Sequence, residues 1–243
     1  DVHDTIRFDQ NGEAEILVKY AAAAAGIPGG SYDDVLQVTT PSGAGGGPTL
    51  TFLAAHDDVF LSEQFENGDD GTLFKMEGIR VMTSTVDRDD PESLKLFQPI
   101  GWVSQFDIAD LGNDKELYRW PFLIHNNRDV DDYSKIIELA KAISLDGDAL
   151  QETVSDLIDV DSWMSTFALM SLFGIGDAYS QGNPHNLNLY VRPNDNKVMA
   201  FPWDWDFVFS QSVTAPLHGN KNIGRILDLP MFEHVFLGHL NHL

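Results

Sequence analysis

The chain has 243 residues and a formal charge of −23, from 15 Lys and Arg against 38 Asp and Glu. Its 43% apolar content is enough to bury a core, which excludes a disordered acidic tail. The charge argues against general nucleic-acid binding and against docking on an anionic membrane, both of which rely on Lys and Arg.

In chain order, residues 14–25 predict a helix, with five consecutive alanines before the Gly26 stop. Residues 35–39 and 49–53 predict strands, and the glycine-rich stretch 41–47 between them reads as a flexible hairpin loop. It lacks the Lys-Ser/Thr of a phosphate-binding loop and leads into no helix. A short helix follows over 57–65, a turn over 66–71, and strands over 72–76 and 78–83. Residues 86–116 are polar and irregular, with Asp87, Asp89 and Asp90 clustered but not at EF-hand spacing, and read as a surface excursion. Residues 118–124 predict a strand.

The second half turns helical. Residues 132–143 and 150–157 predict helices, and Asp161 is expected to cap a third that is buried on most sides and stops at Gly174. Strands are expected over 187–191 and 198–201, and helices over 223–227 and 232–240. No repeat or low-complexity linker divides the chain, so residues 1–243 read as a single domain. No apolar run is long enough for a membrane-spanning helix.

The acidity is lopsided, 28 Asp against 10 Glu. Aspartate favours turns, caps and oxygen-rich cation sites, and a salt-adapted or marine surface gives the same bias. The absence of cysteine excludes disulfides, zinc–thiolate sites and a thiol nucleophile, and fits an extracellular or cell-surface setting. The histidines show no zinc-protease spacing.

Chemistry-bearing residues concentrate between Gly174 and Ser210. A loop holding Asp177, His185 and Asn186 leads into a hairpin that delivers Pro202-Trp203-Asp204-Trp205-Asp206. Carboxylates beside Trp and Phe ionise at a cost unless a cation compensates. One Asp to orient a hydroxyl, with Asn and a second Asp to hold magnesium on nucleotide phosphates, is the set that phosphoryl transfer uses. His185 reads as a residue that shapes the loop rather than a base.

At these positions the chain resembles the spore-coat protein CotH kinase family. The shared elements are the Asp177 loop, His185-Asn186-Leu187-Asn188-Leu189-Tyr190 and Pro202-Trp203-Asp204-Trp205-Asp206. Residues 17–28, 60–78, 131–143 and 223–243 also look like the family. The resemblance implies an α+β, atypical protein-kinase-like fold, strand-rich in its N-terminal part and helical in its C-terminal part. It implies ATP and Mg as cofactors and Ser/Thr of a secreted, coat or surface protein as substrate. It assigns catalysis to Asp177, nucleotide and metal binding to Asn186 and Asp204, and a further metal position to Asp206.

The chain departs from the family pattern in three places. Asp177 and Asn186 are nine residues apart, a longer interval than in the protein-kinase catalytic loop. Val198 stands where members often carry an aromatic residue. The family's N-terminal Arg-Gly-Asn-Ser-like and Lys-Lys-Ser-Tyr-like elements are absent, so the domain reads as incomplete at both ends. Lys75 is the nearest motif-embedded candidate for a lysine on the ATP phosphates; its other reading is a strand-end surface lysine. The rival to an enzyme is a non-catalytic pseudokinase, or a cell-surface binding module with a structural cation. AMP addition or glycan phosphorylation would use the same metal–phosphate clamp.

Overall fold

The computed structural model describes residues 6–9, 12–31, 33–36, 50–101, 106–179, 181, 183–219 and 221–243. The alanine-rich segment forms α1 (Gly12–Ala24). Strands β1 (Ile6–Asp9), β2 (Asp34–Leu36) and β3 (Leu50–Ala54) make an antiparallel sheet in the order β1-β3-β2. The expected strands at 35–39 and 49–53 correspond to β2 and β3, and residues 37–49 of those spans and of the connection between them lie outside the described residues. The glycine-rich loop lies outside the described residues. Asp57 caps α2 (Asp58–Gln64) by accepting from the Phe60 N–H at 3.0 Å, and Gly68–Asp70 adds one 3-10 turn.

A second antiparallel sheet joins β4 (Thr72–Glu77), β7 (Phe122–Ile124), β8 (His185–Val191) and β9 (Val198–Pro202) in the order β7-β4-β8-β9. Side chains alternate across a strand, so the ladder sorts them into two faces. Phe74, Leu189 and Ala200 line up on one face and join the main core. Leu73, Tyr190 and Met199 line up on the other and pack with Leu61 and Phe201. With both faces covered, β8 is buried along nearly its whole length.

The polar stretch 86–116 is not wholly irregular. Lys95–Pro99 forms β6, which pairs with β5 (Arg80–Thr85). β6 is mostly exposed, so it carries no buried-face alternation by which the sequence could announce it. The acidic cluster before it builds turns: Asp87 accepts from the Asp89 N–H at 3.0 Å and Asp90 from the Glu92 N–H at 2.9 Å. The expected strand at 118–124 is reduced to β7, because Lys115–Leu117 forms a 3-10 turn and Tyr118 caps it.

The helices follow as α3 (Ser134–Ile143), α4 (Gly147–Leu157), α5 (Val160–Leu172), α6 (Asn222–Leu227) and α7 (Pro230–His242). The cap of α5 is Asp159 rather than Asp161; its carboxylate accepts from the Ser162 N–H at 3.1 Å. Tertiary contact decides between the two aspartates, because the Asp159 N–H also donates to the Val198 carbonyl at 2.9 Å. Trp163 Nε1 reaches the same carbonyl at 2.9 Å, and Thr166 Oγ1 reaches the Ala200 carbonyl at 2.8 Å. The open edge of β9 is thereby satisfied by α5 instead of by another strand. The architecture is mixed helix and antiparallel strand, with first-half strands β4 and β7 in one sheet with second-half strands β8 and β9. Among the described residues no helix is long and apolar enough to cross a membrane.

Candidate active site

The Asp177 loop begins at the end of α5. Gly174 has a φ of 56°, the left-handed conformation that a helix C-terminus often needs and glycine adopts without strain. Ile175 N–H donates back to the Met170 carbonyl and Gly174 N–H to the Ser171 carbonyl, both at 3.1 Å. This paired closure turns the chain sharply and presents Asp177.

The Asp177 carboxylate is fixed at one oxygen. His185 Nε2 lies 2.9 Å from Oδ1, and Asn183 donates its side-chain N–H to the same atom. Oδ2 takes no hydrogen bond among the described residues. Asp177 is 22% exposed and lines a cavity of about 400 Å³ with Asn183, Phe207 and Ser210. Of the longer interval between Asp177 and Asn186, Ser180 and Gly182 lie outside the described residues. Asn183 turns back onto Asp177 itself.

Asn186 occupies a β-bulge. Lys75 faces Asn188 and Glu77 faces His185 across the β4–β8 ladder, so β8 spends one residue more than β4 between those pairs. Asn186 takes up the excess with a φ of 57°. Bulges re-aim side chains, and this one brings Asn186 Nδ2 to the Asp177 backbone carbonyl at 2.7 Å. The amide nitrogen is thereby committed, and the amide oxygen is the end left for a cation.

The Pro202–Asp206 segment is tied to the same residue. Trp205 is buried and donates its indole N–H to the Asn186 carbonyl at 2.9 Å. Asp204, with a φ of 55°, and Asp206 flank this indole. Phe207 accepts the Gly176 N–H at 3.1 Å, which brings the segment back beside the Asp177 loop. Trp203 and Trp205 are the apolar walls expected from sequence, but Phe207 is exposed.

Sequence reasoning missed Lys19. It lies on α1, is 1% exposed, and pairs with Glu15 at 3.0 Å and Asp33 at 3.2 Å. Its ammonium sits 4.9 Å from the centre of a Trp203 ring. Burial outweighs the Lys19 attraction and pushes the Glu15 carboxyl up to about 7. Asp33 is raised for the same reason, and Asp204 adds to both shifts as a nearby negative charge. Asp204 thus belongs to an acid-rich neighbourhood that contains one buried lysine. The available signal was the Glu15–Lys19 pair at helical spacing on a helix that, Glu13 apart, is otherwise without charge.

The model of the CotH kinase protein family matches residues 55–233. The chain belongs to the CotH kinase family. A search of curated proteins found no match. The CotH range contains Asp177, Asn186, Asp204 and Asp206, and starts after α1 and Lys19. Lys75, the other CotH-region residue of interest, is a half-buried mid-strand lysine paired with Glu77 at 2.7 Å, not a strand-end surface lysine.

The donor chemistry suits magnesium. Asn186 and Asp204 offer hard oxygens, and Mg²⁺ is usually held by one or two carboxylates together with substrate phosphates rather than by a full protein cage. Among the described residues no group of three or more His, Asp or Glu forms such a cage.

Proposed function

We propose that this CotH-family chain has a protein-kinase-like fold and is a magnesium-dependent phosphotransferase, moving the γ-phosphoryl group of ATP to Ser or Thr of a protein substrate. The acidic, cysteine-free composition supports a substrate met outside the cell or at its surface. The observation that carries the reading is the tie between the two halves of the site. Asn186 Nδ2 donates to the Asp177 carbonyl at 2.7 Å, and Trp205 donates to the Asn186 carbonyl at 2.9 Å.

Asp177 orients the acceptor hydroxyl and takes its proton on Oδ2 as the oxygen–phosphorus bond forms. The bond from γ-phosphorus to the bridging oxygen breaks, and ADP leaves with that oxygen. His185 and Asn183 hold Oδ1 so that the carboxylate keeps one orientation. Asn186 and Asp204, with Asp206 beside them, would hold magnesium, which neutralises charge on the phosphoryl oxygens. Lys19 and its two carboxylates hold the wall behind Trp203.

A thermal-shift titration with ATP, with and without magnesium, tests this on wild type and Asp204→Ala. A ligand at about 100 times its Kd stabilises the folded state by about 2.7 kcal/mol. A magnesium-dependent shift in wild type that Asp204→Ala loses is the expected result. Stabilisation by calcium alone, with no response to ATP, would replace the enzyme with a binding module.

A further inference from the structure

The Asp177 loop is closed on itself. Tyr179 N–H donates to the His185 carbonyl at 2.8 Å, the His185 ring lies 2.9 Å from Asp177 Oδ1, and Asn186 Nδ2 donates to the Asp177 carbonyl at 2.7 Å. Closure of this kind fixes the shape of the loop but not its depth in the molecule. The depth is set by Tyr179, which is 1% exposed and lies edge-on to Phe167 of α5 with ring centres 6.4 Å apart. Its hydroxyl donates to Asp107 Oδ1 at 2.6 Å, across 72 residues of sequence. Burial, with the Asp107 charge beside it, pushes this hydroxyl well above its usual range and keeps it a donor.

Asp107 collects two more donors. Its Oδ1 also accepts the Ile108 N–H at 2.8 Å, and its Oδ2 accepts the Asn222 N–H at 2.8 Å. Asn222 opens α6, and Lys221, the residue before it, provides no side-chain cap. The Asp107 carboxylate therefore caps α6 from a distant part of the chain, where a negative charge is favoured. The backbone around it is tied down as well. Asn222 Nδ2 donates to the Ile108 carbonyl at 2.9 Å, and Lys221 Nζ to the Phe106 carbonyl at 2.8 Å.

The same short segment meets the far end of the loop. Gly78 N–H donates to the Pro184 carbonyl at 2.8 Å, and Phe106 and Pro184 press so closely on Gly78 that a Cβ there would overlap both. Residues 106–108 thus support the loop under Tyr179 and, across Gly78, beside Pro184. A helix cap needs a single acceptor oxygen. Asp107 spends one oxygen on α6 and the other on Tyr179, two residues from Asp177.

We propose that Asp107 is a positioning residue of the phosphotransfer site: through the Tyr179 hydroxyl it holds the Asp177 loop at the depth where the Asp177 carboxylate meets the acceptor hydroxyl. This deepens the phosphotransfer reading and rests on it. Asp107 acts through orientation alone, and a misplacement of about 1 Å can cost a reaction on the order of 100-fold.

Three variants of the full chain separate positioning from capping. Tyr179→Phe removes the tie and leaves Asp107 on α6. Asp107→Ala removes both. Asp107→Asn keeps an acceptor for Tyr179 but turns its amide N–H₂ toward the Asn222 N–H, so the cap is lost. Phosphotransfer from ATP with magnesium to a degenerate mixture of Ser- and Thr-containing peptides gives kcat and the KM for ATP. Urea denaturation gives stability, and amide hydrogen exchange reads the 177–186 segment.

Tyr179→Phe should lower kcat by about ten- to a hundredfold, leave the KM for ATP unchanged and speed exchange in 177–186. Asp107→Asn should restore most of the kcat lost in Asp107→Ala but little of its stability, a split that a merely structural role would not produce. A wild-type kcat in Tyr179→Phe, or kcat losses that simply follow stability across the three variants, would overturn the positioning role and leave the phosphotransfer reading standing. No phosphate transfer by the wild-type chain would overturn both.

Discussion

Trp205 donates its indole N–H to the backbone carbonyl of Asn186 at 2.9 Å. A residue with no chemistry of its own therefore sets the spacing between the two chemical loops. Trp205→Phe keeps most of the apolar volume and leaves a carbonyl unpaired, so it should cost roughly 1–3 kcal/mol. Urea denaturation measures that loss. The magnesium-dependent response to ATP should weaken in the same variant; an unaltered response would mean that the tie does not position Asn186.

Asp177→Asn is nearly isosteric and should melt within a few degrees of wild type. General-base catalysis typically contributes about 10²–10⁴-fold, and that is the expected drop in phosphotransfer rate. His185→Gln should lower kcat by less and leave the KM for ATP unchanged, because His185 orients Asp177. Initial-rate kinetics separate the two effects. A KM change with constant kcat would move His185 from positioning to nucleotide binding.

Lys19→Met leaves Glu15 and Asp33 buried without their cation. Breaking a buried pair by removing one partner costs about 3–5 kcal/mol. Adding Glu15→Gln to Lys19→Met should recover part of it. A double-mutant cycle by chemical denaturation reads the coupling, and strictly additive losses would contradict it.

Glu15 also predicts a pH dependence. Its carboxyl is raised from 4.5 to about 7 in the folded chain, so folding favours the protonated form. Its stabilising contribution is complete below pH 4.5 and is lost as the pH rises through about 7. Glu15→Gln mimics the protonated form and does not titrate. Stability measured from pH 5 to pH 8 should therefore move in favour of the variant as the pH rises; a constant difference would refute the assignment.

The opposite sign applies to the network around Arg119. Burial works against the Glu116 and Asp131 carboxylates, but bonds from Arg119 prevail and hold both below their usual range. Their contribution is present above the ordinary carboxylate values and is lost as the pH falls through the lowered ones. Arg119→Ala should cost about 3–5 kcal/mol at pH 7 and progressively less in acid. Denaturation at the two pH values checks this.

Much of the fold was legible because the helices carry both periodicity and stop signals. The α5 segment and Gly174 are an example. β6 was hidden because its partner is β5 and its side chains face solvent, so pairing rather than burial defines it. The choice of Asp159 over Asp161 depends on β9, which is distant in sequence. Of the proposed site residues, Asp177, Asn186 and Asp204 could be singled out in the sequence because they lie in family-like motifs and offer hard oxygens. Lys19 was not, because Asp33 and Trp203 meet it only in the folded chain.

Asn186 and Asp204 share a backbone constraint as well as a proposed ligand role, with φ values of 57° and 55°. The residues that tolerate this conformation best are Gly, Asn and Asp, and two of those three also carry an oxygen for a cation. Selection for shape and selection for chemistry therefore draw on almost the same short alphabet at both positions. Glycine is where the two diverge, since it satisfies the backbone and removes the ligand. A lineage that abandoned catalysis could drift to glycine at either position and keep its architecture, while most other replacements would strain the loop before any change in chemistry was felt.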